Sequence, residues 1–273
     1  MTFSKSMKLG IVKRDRKLVT LDKDELNRRI IVLRHDVDKM PLNSLHFAKL
    51  QYKTGVRGTY YFRAVPQSWD EKIIKQIYNF GHEVGYHYEN LAVCKGNIDD
   101  AIKDFEANLN KLRKLVPVTT ICMHGSPLSK YDNRDIWKKY NYRDFGIIGE
   151  PYFDIDFNKV AYYTDTGRRW DGGKVSLRDN LSFEGSGLNP DVKSGQGSSK
   201  DGIVKGKGLS TEFPIYKSTN DIIQGIQSGN FPTTAMLTFH PQRWTDNGFA
   251  WTKELVMQNV KNAVKYFIVK TKK

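Results

Sequence analysis

The amino-acid sequence predicts an α/β fold in which helices cover a mainly parallel β-sheet. Short apolar runs typical of buried strands alternate along the chain with segments whose apolar residues recur at helical spacing. Such alternation produces right-handed βαβ units, and the sheet that they build is either open or closed into a barrel. In both arrangements the functional site lies at the carboxyl ends of the strands.

The first half of the predicted fold contains strands at residues 30–38, 58–62 and 83–87, preceded by an early strand at residues 8–13. Leu42, Leu45, Ala48 and Tyr52 share one helical face and predict the first helix. The second helix is expected to begin at Ser68, in a capping box with Glu71, and to end at Gly81.

The second half continues the same pattern. The clearest helix covers residues 98–116, between a capping Asn97 and Pro117. Strands are expected at 119–123, 160–163 and 234–239, and helices at 135–140 and at 219–227, the latter capped near Ser218. Thr252 opens a last amphipathic helix, whose apolar residues are Val256, Val260, Val264 and Phe267.

The length of 273 residues suits one domain, and we expect residues 1–273 to form a single unit. Residues 185–208 differ from the rest, because seven of these 24 residues are Gly. Such a composition predicts a mobile loop. The loop is either a segment that covers a substrate or plain disorder.

Composition narrows the class of protein. The net charge of +14 favours anionic partners, such as phosphorylated sugars or an anionic membrane face, but no nucleic-acid-binding motif is found. No run is long enough to span a bilayer, and the basic N-terminus lacks the apolar segment of a signal peptide. Cys94 and Cys122 give no disulfide framework. We therefore expect a cytoplasmic protein with reduced thiols.

Charged or titratable residues follow the ends of five predicted strands, and these residues are Asp36 with Asp38, His87, His124, Asp165 and His240. Because parallel strands share one carboxyl edge, their side chains should meet. Asp and His ligands suit Zn²⁺ and also Co²⁺, Ni²⁺ or Fe²⁺. A metal of this kind supports hydrolysis without a nucleophilic Ser or Cys. Neither a Gly-x-Ser-x-Gly elbow nor a phosphate-binding loop is present in the sequence.

Four segments of the chain resemble motifs of the polysaccharide deacetylases, the NodB-homology or carbohydrate esterase 4 type. They are Arg-His-Asp-Val-Asp at 34–38, Gly-His-Glu-Val-Gly-Tyr-His at 81–87, Tyr-Thr-Asp-Thr-Gly-Arg-Arg-Trp at 163–170 and Leu-Thr-Phe-His-Pro at 237–241. The motifs occur in the family's order over about residues 30–245. The resemblance implies a (β/α) barrel, a distorted seven-stranded barrel of the NodB type.

The same resemblance implies roles for individual residues. Asp36 would be the catalytic base, Asp38 and His87 would bind a divalent metal, and His240 would be the catalytic acid. Asp165 would orient His240, and Asp165 and Trp170 would line the substrate groove. The metal is expected to be Zn²⁺, with Co²⁺ or Ni²⁺ as alternatives.

The sequence also departs from the family's pattern. The second metal-binding His of the family corresponds to Leu91, so the third ligand must come from elsewhere, from His124 or from Glu89. The family's Arg beside the base is absent from residues 123–127, and Arg34 or Arg168 could replace it.

Three further expectations concern aromatic and His side chains. Trp170 and Trp244 offer flat faces on which a sugar ring stacks, and their alternative role is ordinary packing. Together with Arg34 and Arg168 they form the expected substrate-binding set. His82 lies within the second motif but is expected to be structural.

The resemblance implies a metal-dependent hydrolase that removes an N-acetyl group from a sugar. A cytoplasmic location favours an intracellular substrate, such as a nucleotide- or lipid-linked N-acetylated sugar in O-antigen or capsule synthesis. Peripheral contact with an anionic membrane would fit the charge. Two alternatives stay open: a catalytically impaired carbohydrate-binding relative, and an O-deacetylase or other amide hydrolase on the same fold.

Overall fold

The computed structural model describes residues 29–125, 129–170 and 213–271, with side chains described up to residue 260 in the last segment. The strand expected at residues 8–13 and the Gly-rich loop expected at 185–208 lie outside these ranges.

The described residues form one sheet of six parallel strands, so the predicted α/β class is confirmed. The sheet order is β4-β3-β2-β1-β6-β5. The expected barrel has six strands here rather than seven, and a single parallel bridge between Thr120 and Gly149 lies beside β4. The strands are β1 (Ile30–Val37), β2 (Thr59–Phe62), β3 (Glu83–Tyr88), β4 (Ile121–Met123), β5 (Ala161–Thr164) and β6 (Thr234–Phe239).

Helices connect these strands, as expected of a parallel sheet. They are α1 (Pro41–Lys53), α2 (Glu71–Asn79), α3 (Asn90–Val93), α4 (Ile98–Arg113), α5 (Pro151–Asp154), α6 (Thr219–Gln227) and α7 (Gly248–Thr271). The helix predicted at residues 135–140 is a 3₁₀ segment at Asn133–Lys138. Among the described helices, none is both long enough and apolar enough to cross a bilayer.

The helix caps agree with two predictions and correct a third. The Asn97 side chain accepts hydrogen bonds at the start of α4, and Ser218 forms a capping box with Asp221 on α6. The predicted Ser68 capping box on α2 is wrong, because Asp70 accepts from the first-turn N–H groups. The Ser68 hydroxyl instead donates to the Val37 carbonyl, and so ties this loop to the end of β1.

The main core lies between β1–β4 and their helices, and a second apolar cluster lies around β5 and β6. The carboxyl half of β1 is buried while its amino half is not. Since β1 is central in the sheet, its end lies in a covered environment between the two clusters. The residues at that end are therefore held by packing from both sides.

The last helix differs from its prediction. It begins at Gly248 rather than at Thr252. Of the expected apolar face, Val256 is 55 % exposed and Val260 is 53 % exposed, and the preceding Phe249 is 81 % exposed. The described part of this face therefore lies at the surface rather than against the sheet.

Candidate active site

The carboxyl ends of the strands bring the predicted polar residues together. His87 lies in β3, while Asp38, His124 and His240 directly follow or lie close behind the ends of β1, β4 and β6. The Asp38 carboxylate is the centre of this group: Oδ1 lies 3.6 Å from His87 Nε2 and 3.5 Å from His124 Nε2. The other carboxylate oxygen of Asp38, Oδ2, lies 4.0 Å from His240 Nε2.

Asp38, His87 and His124 can supply three metal ligands, since their candidate ligand atoms all lie within 4.8 Å of one another. Within the described part of the chain, Asp38 Oδ1 is a buried acceptor without a hydrogen-bond donor. Two imidazole nitrogens lie at distances from it that are too long for hydrogen bonds but suit a shared cation. The residues present therefore fit a divalent metal.

The surroundings prepare these groups for a cation. His87 Nδ1 lies 2.9 Å from the Cys122 carbonyl, so the proton sits on Nδ1 and the Nε2 lone pair faces the carboxylates. Burial opposes ionisation of Asp38, but the imidazoles of His87, His124 and His240 hold its pKa well below the usual value. Asp38 is therefore an anion at neutral pH.

A second arrangement of potential ligands, Asp36 with His87 and Cys122, lies in the same place and is fully buried. It is the poorer candidate, because both oxygens of Asp36 already accept from Arg34. Cys94 and Cys122 are not in a disulfide.

Asp36 Oδ2 lies 3.8 Å from His87 Nε2, and Asp36 is paired with Arg34 on the same face of β1. The guanidinium donates from Nε at 2.8 Å and from Nη2 at 2.7 Å, a two-point contact, and both side chains are buried. Burial would raise the pKa of Asp36, but Arg34 and His87 lower it overall. His35, between them, points to the opposite side, where it stacks on Tyr60.

A second polar group lies beside the first. His240 Nδ1 is 2.5 Å from Asp165 Oδ1, so the Nε2 atom of the same ring faces Asp38. Asp165 also accepts from Trp244 Nε1 and from Arg243. Burial and Arg243 lower the pKa of His240, but Asp165 and Asp38 raise it further, and the balance lies above the usual value.

Glu89 lies behind His124 rather than beside Asp38. Its carboxylate accepts from Arg63 Nε at 2.9 Å and Nη2 at 2.7 Å, and Oε2 lies 3.0 Å from His124 Nδ1. Burial opposes the charge, yet His124 and Arg63 lower the pKa of Glu89 to about 2.

Several expected substrate contacts do not fit the structure. Arg34 is buried under Asp36, so it holds the carboxylate and does not reach a ligand. Trp170 is 4 % exposed and its Nε1 donates to the Thr219 hydroxyl. Its ring is therefore packed in the interior, which is the alternative role expected for it. Arg168 contacts α7 instead: its Nη1 lies 3.4 Å from Glu254 Oε2, and its guanidinium lies over the Trp251 ring. Trp244 is partly buried and binds Asp165.

Two other predictions concern residues of the second motif and its neighbourhood. Leu91, at the position of the missing His, is buried in the main core. His82 is structural as expected: its Nε2 lies 2.9 Å from the Ala48 carbonyl and its Nδ1 accepts from Gly58.

Sequence reasoning missed Arg63, Gln242 and Arg243. Gln242 donates to Asp38 Oδ2 at 3.0 Å, and Arg63 donates to the Asp38 carbonyl at 3.2 Å. Arg63 directly follows β2, so the strand-end rule that identified the other residues would also have found it.

No family model matches the chain, and no curated protein matches it. Several solved structures are similar to the chain, among them the following three. The first is a mutant of the peptidoglycan deacetylase PdaC from Bacillus subtilis, at 17 % identity and a TM-score of 0.29; the match covers 36 % of this chain and 50 % of that one, so this chain spans about half the length of PdaC in that structure.

The second is the Xyl-CE4 domain of a multidomain xylanase from the hindgut metagenome of Trinervitermes trinervoides, at 10 % identity, a TM-score of 0.39 and coverages of 88 % and 85 %. The third is a mutant of BA3943, described as a CE4 family pseudoenzyme with restored enzymatic activity, at 12 % identity, a TM-score of 0.37 and coverages of 88 % and 64 %.

Proposed function

We propose that the protein is a metal-dependent hydrolase that removes the acetyl group from an N-acetylated sugar. The observation that carries the proposal is the convergence of Asp38, His87 and His124 on one point, beside Asp36 on one side and His240 on the other. This arrangement provides a cation site flanked by a base and an acid, which amide hydrolysis requires.

Asp38, His87 and His124 would hold the metal, with Zn²⁺ as the first candidate and Co²⁺ or Ni²⁺ as alternatives. A bound ion of this class lowers the pKa of a water ligand and polarises a carbonyl. Of these side chains, Asp38 is 22 % exposed and His124 is 15 % exposed, whereas His87 is 2 % exposed. A ligand would therefore approach from the side of Asp38 and His124.

Asp36 takes the proton of the attacking water in this proposal. Arg34 fixes its carboxylate in one orientation and keeps it ionised, which makes Asp36 available as an acceptor but a weak base on its own. It therefore needs a water that is already acidified.

His240 gives a proton to the departing amine. Asp165 holds Nδ1, so the opposite nitrogen, Nε2, points toward the site and is the atom that donates. Although burial and Arg243 lower the pKa of His240, Asp165 and Asp38 raise it above the usual value, and this favours the protonated form that an acid requires.

The proposal is tested by incubating the protein and Zn²⁺ or Co²⁺ with N-acetylated sugars, free, nucleotide-linked and lipid-linked, and measuring acetate and the new amine. Release of both in equal amounts, lost in Asp36→Asn and His240→Ala, supports an N-deacetylase. O-acetylated sugars are incubated in parallel, and acetate released from these but not from the N-acetylated sugars supports the O-deacetylase alternative. Sugar binding without any release of acetate would favour the catalytically impaired relative. That alternative is motivated by Leu91, which stands where the family has a metal-binding His.

A nucleotide- or lipid-linked substrate in O-antigen or capsule synthesis, in the cytoplasm, stays a prediction from the sequence. Contact with an anionic membrane is supported by the exposed apolar side chains of α7, Phe249, Val256, Met257 and Val260. Residues 248–273 contain six Lys and one Glu. Sedimentation with anionic but not neutral vesicles, reduced in a Phe249→Ser and Val256→Ser variant, is the expected result.

A further inference from the structure

We propose that Glu89, clamped by Arg63, is a positioning residue that turns His124 into the third metal ligand, and is not itself a ligand. This inference rests on the proposed function, since it concerns the same metal site. It explains how a chain with Leu91 at the usual ligand position can still complete the site. The third imidazole comes instead from the end of a neighbouring strand, β4.

The Glu89 carboxylate is already fully engaged. Arg63 contacts both oxygens, at 2.9 Å on Oε1 and 2.7 Å on Oε2, and His124 Nδ1 lies 3.0 Å from Oε2. A two-point contact with a guanidinium fixes the carboxylate plane and reduces its tendency to turn toward a metal. Glu89 is also absent from the groups of side chains whose ligand atoms converge.

The carboxylate acts on His124 by its charge. The Nδ1 contact has ion-pair length without the alignment of a hydrogen bond. A negative charge 3.0 Å from Nδ1 favours the tautomer with its proton on that nitrogen. Nε2, which lies 3.5 Å from Asp38 Oδ1, then carries the lone pair that a metal requires.

Two further contacts make this placement rigid. The His124 backbone N–H donates to the Tyr88 carbonyl at 2.9 Å, and its carbonyl accepts from Asn133 at 2.9 Å. Arg63 also donates to the Asp38 carbonyl at 3.2 Å, so one guanidinium joins the Glu89 carboxylate to the backbone of another ligand. Arg63 and Glu89 thus link the positions of two of the three ligands.

The test is the affinity of the full-length protein for Zn²⁺, measured by calorimetry, together with the absorption spectrum of bound Co²⁺. The variants are Glu89→Gln and His124→Ala. The matched control is Glu83→Gln at the start of β3, the strand that ends just before Glu89, where the Glu83 carboxylate accepts from the Thr59 and Thr120 hydroxyls. Circular dichroism and thermal unfolding verify that each variant is folded.

We expect Glu89→Gln to weaken Zn²⁺ binding by about 10- to 100-fold, as is typical when the partner of a metal-binding His is changed. At saturating Co²⁺ its spectrum should match the wild type, and Glu83→Gln should bind as the wild type does. Unchanged affinity in Glu89→Gln, or a changed Co²⁺ spectrum, overturns this proposal alone. Failure of the wild type to bind any metal overturns the proposed function as well.

Discussion

At the scale of single residues, burial decides which groups of the site depend on one another. Arg34 and Asp36 are 2 % and 6 % exposed at their side chains and make a two-point contact. A buried ion pair is costly to break, because the partner left behind keeps its charge without compensation.

Arg34→Met should therefore destabilise the protein by about 3–5 kcal/mol, as expected when one partner of a buried pair is removed. Replacing both residues, in Arg34→Met with Asp36→Leu, should recover most of that loss, since no unpaired charge remains. Urea unfolding of the four proteins in this cycle gives the answer. If the losses in free energy of unfolding of the two single variants simply add in the double variant, the two side chains do not form a coupled buried pair.

Glu150 gives a second prediction at this scale. Burial raises its pKa to about 7, although N–H groups of Met123 and Tyr152 lower it. The folded state therefore binds a proton that the unfolded chain releases near pH 4. Stability should fall as the pH rises from about 4.5 to 7, by roughly 3 kcal/mol at most.

The measurement is the free energy of unfolding between pH 4.5 and 8. In Glu150→Gln this pH dependence should become shallower, whereas Glu106→Gln, at an exposed position on α4, should keep the wild-type slope. Parallel curves for the wild type and Glu150→Gln would show that Glu150 does not titrate in this range.

The sequence identified Asp36, Asp38, His87, His124, Asp165 and His240 because a strand end is visible in the local pattern. It could not assign the roles of Arg34, Trp170 or Glu89. Those roles depend on which side chain faces each residue in the folded protein, as Arg63, which follows β2, faces Glu89, which follows β3. Pairing of this kind is a property of the packed sheet, which the local pattern does not contain.

At the scale of elements, local chemistry predicted most boundaries and failed where a loop contact competed. Helix α6 begins at Thr219 with the predicted Ser218 cap. At α2 the side chain of the expected cap, Ser68, donates instead to the backbone carbonyl of Val37 in β1, and Asp70, two residues later, caps the helix. A side chain with two potential partners cannot be assigned from spacing alone.

This difference can be measured. Asp70→Ala should cost about 1 kcal/mol of stability, because the N–H groups of Lys72 and Ile73 lose their acceptor. Glu71→Gln, which would break the capping box expected from the sequence, should change stability by less than about 0.5 kcal/mol. A larger loss of stability in Glu71→Gln than in Asp70→Ala, measured by chemical unfolding, would instead support the Ser68 capping box expected from the sequence.

At the scale of the whole molecule, the parallel topology is what makes a site from distant residues. Asp38 and Gln242 are separated by 204 positions and share a hydrogen bond of 3.0 Å. The parallel sheet and its common edge could be predicted from the alternation of strands and helices. The number of strands and the exposure of α7 could not, because both depend on long-range packing.

The most direct test of the account is the metal content of protein purified without a chelator and then incubated with Zn²⁺. We expect about one equivalent in the wild type and in His46→Ala, whose imidazole is exposed on α1, and none in His87→Ala or His124→Ala. A wild type without metal, or full metal content in His124→Ala, would contradict the site that the structure assembles.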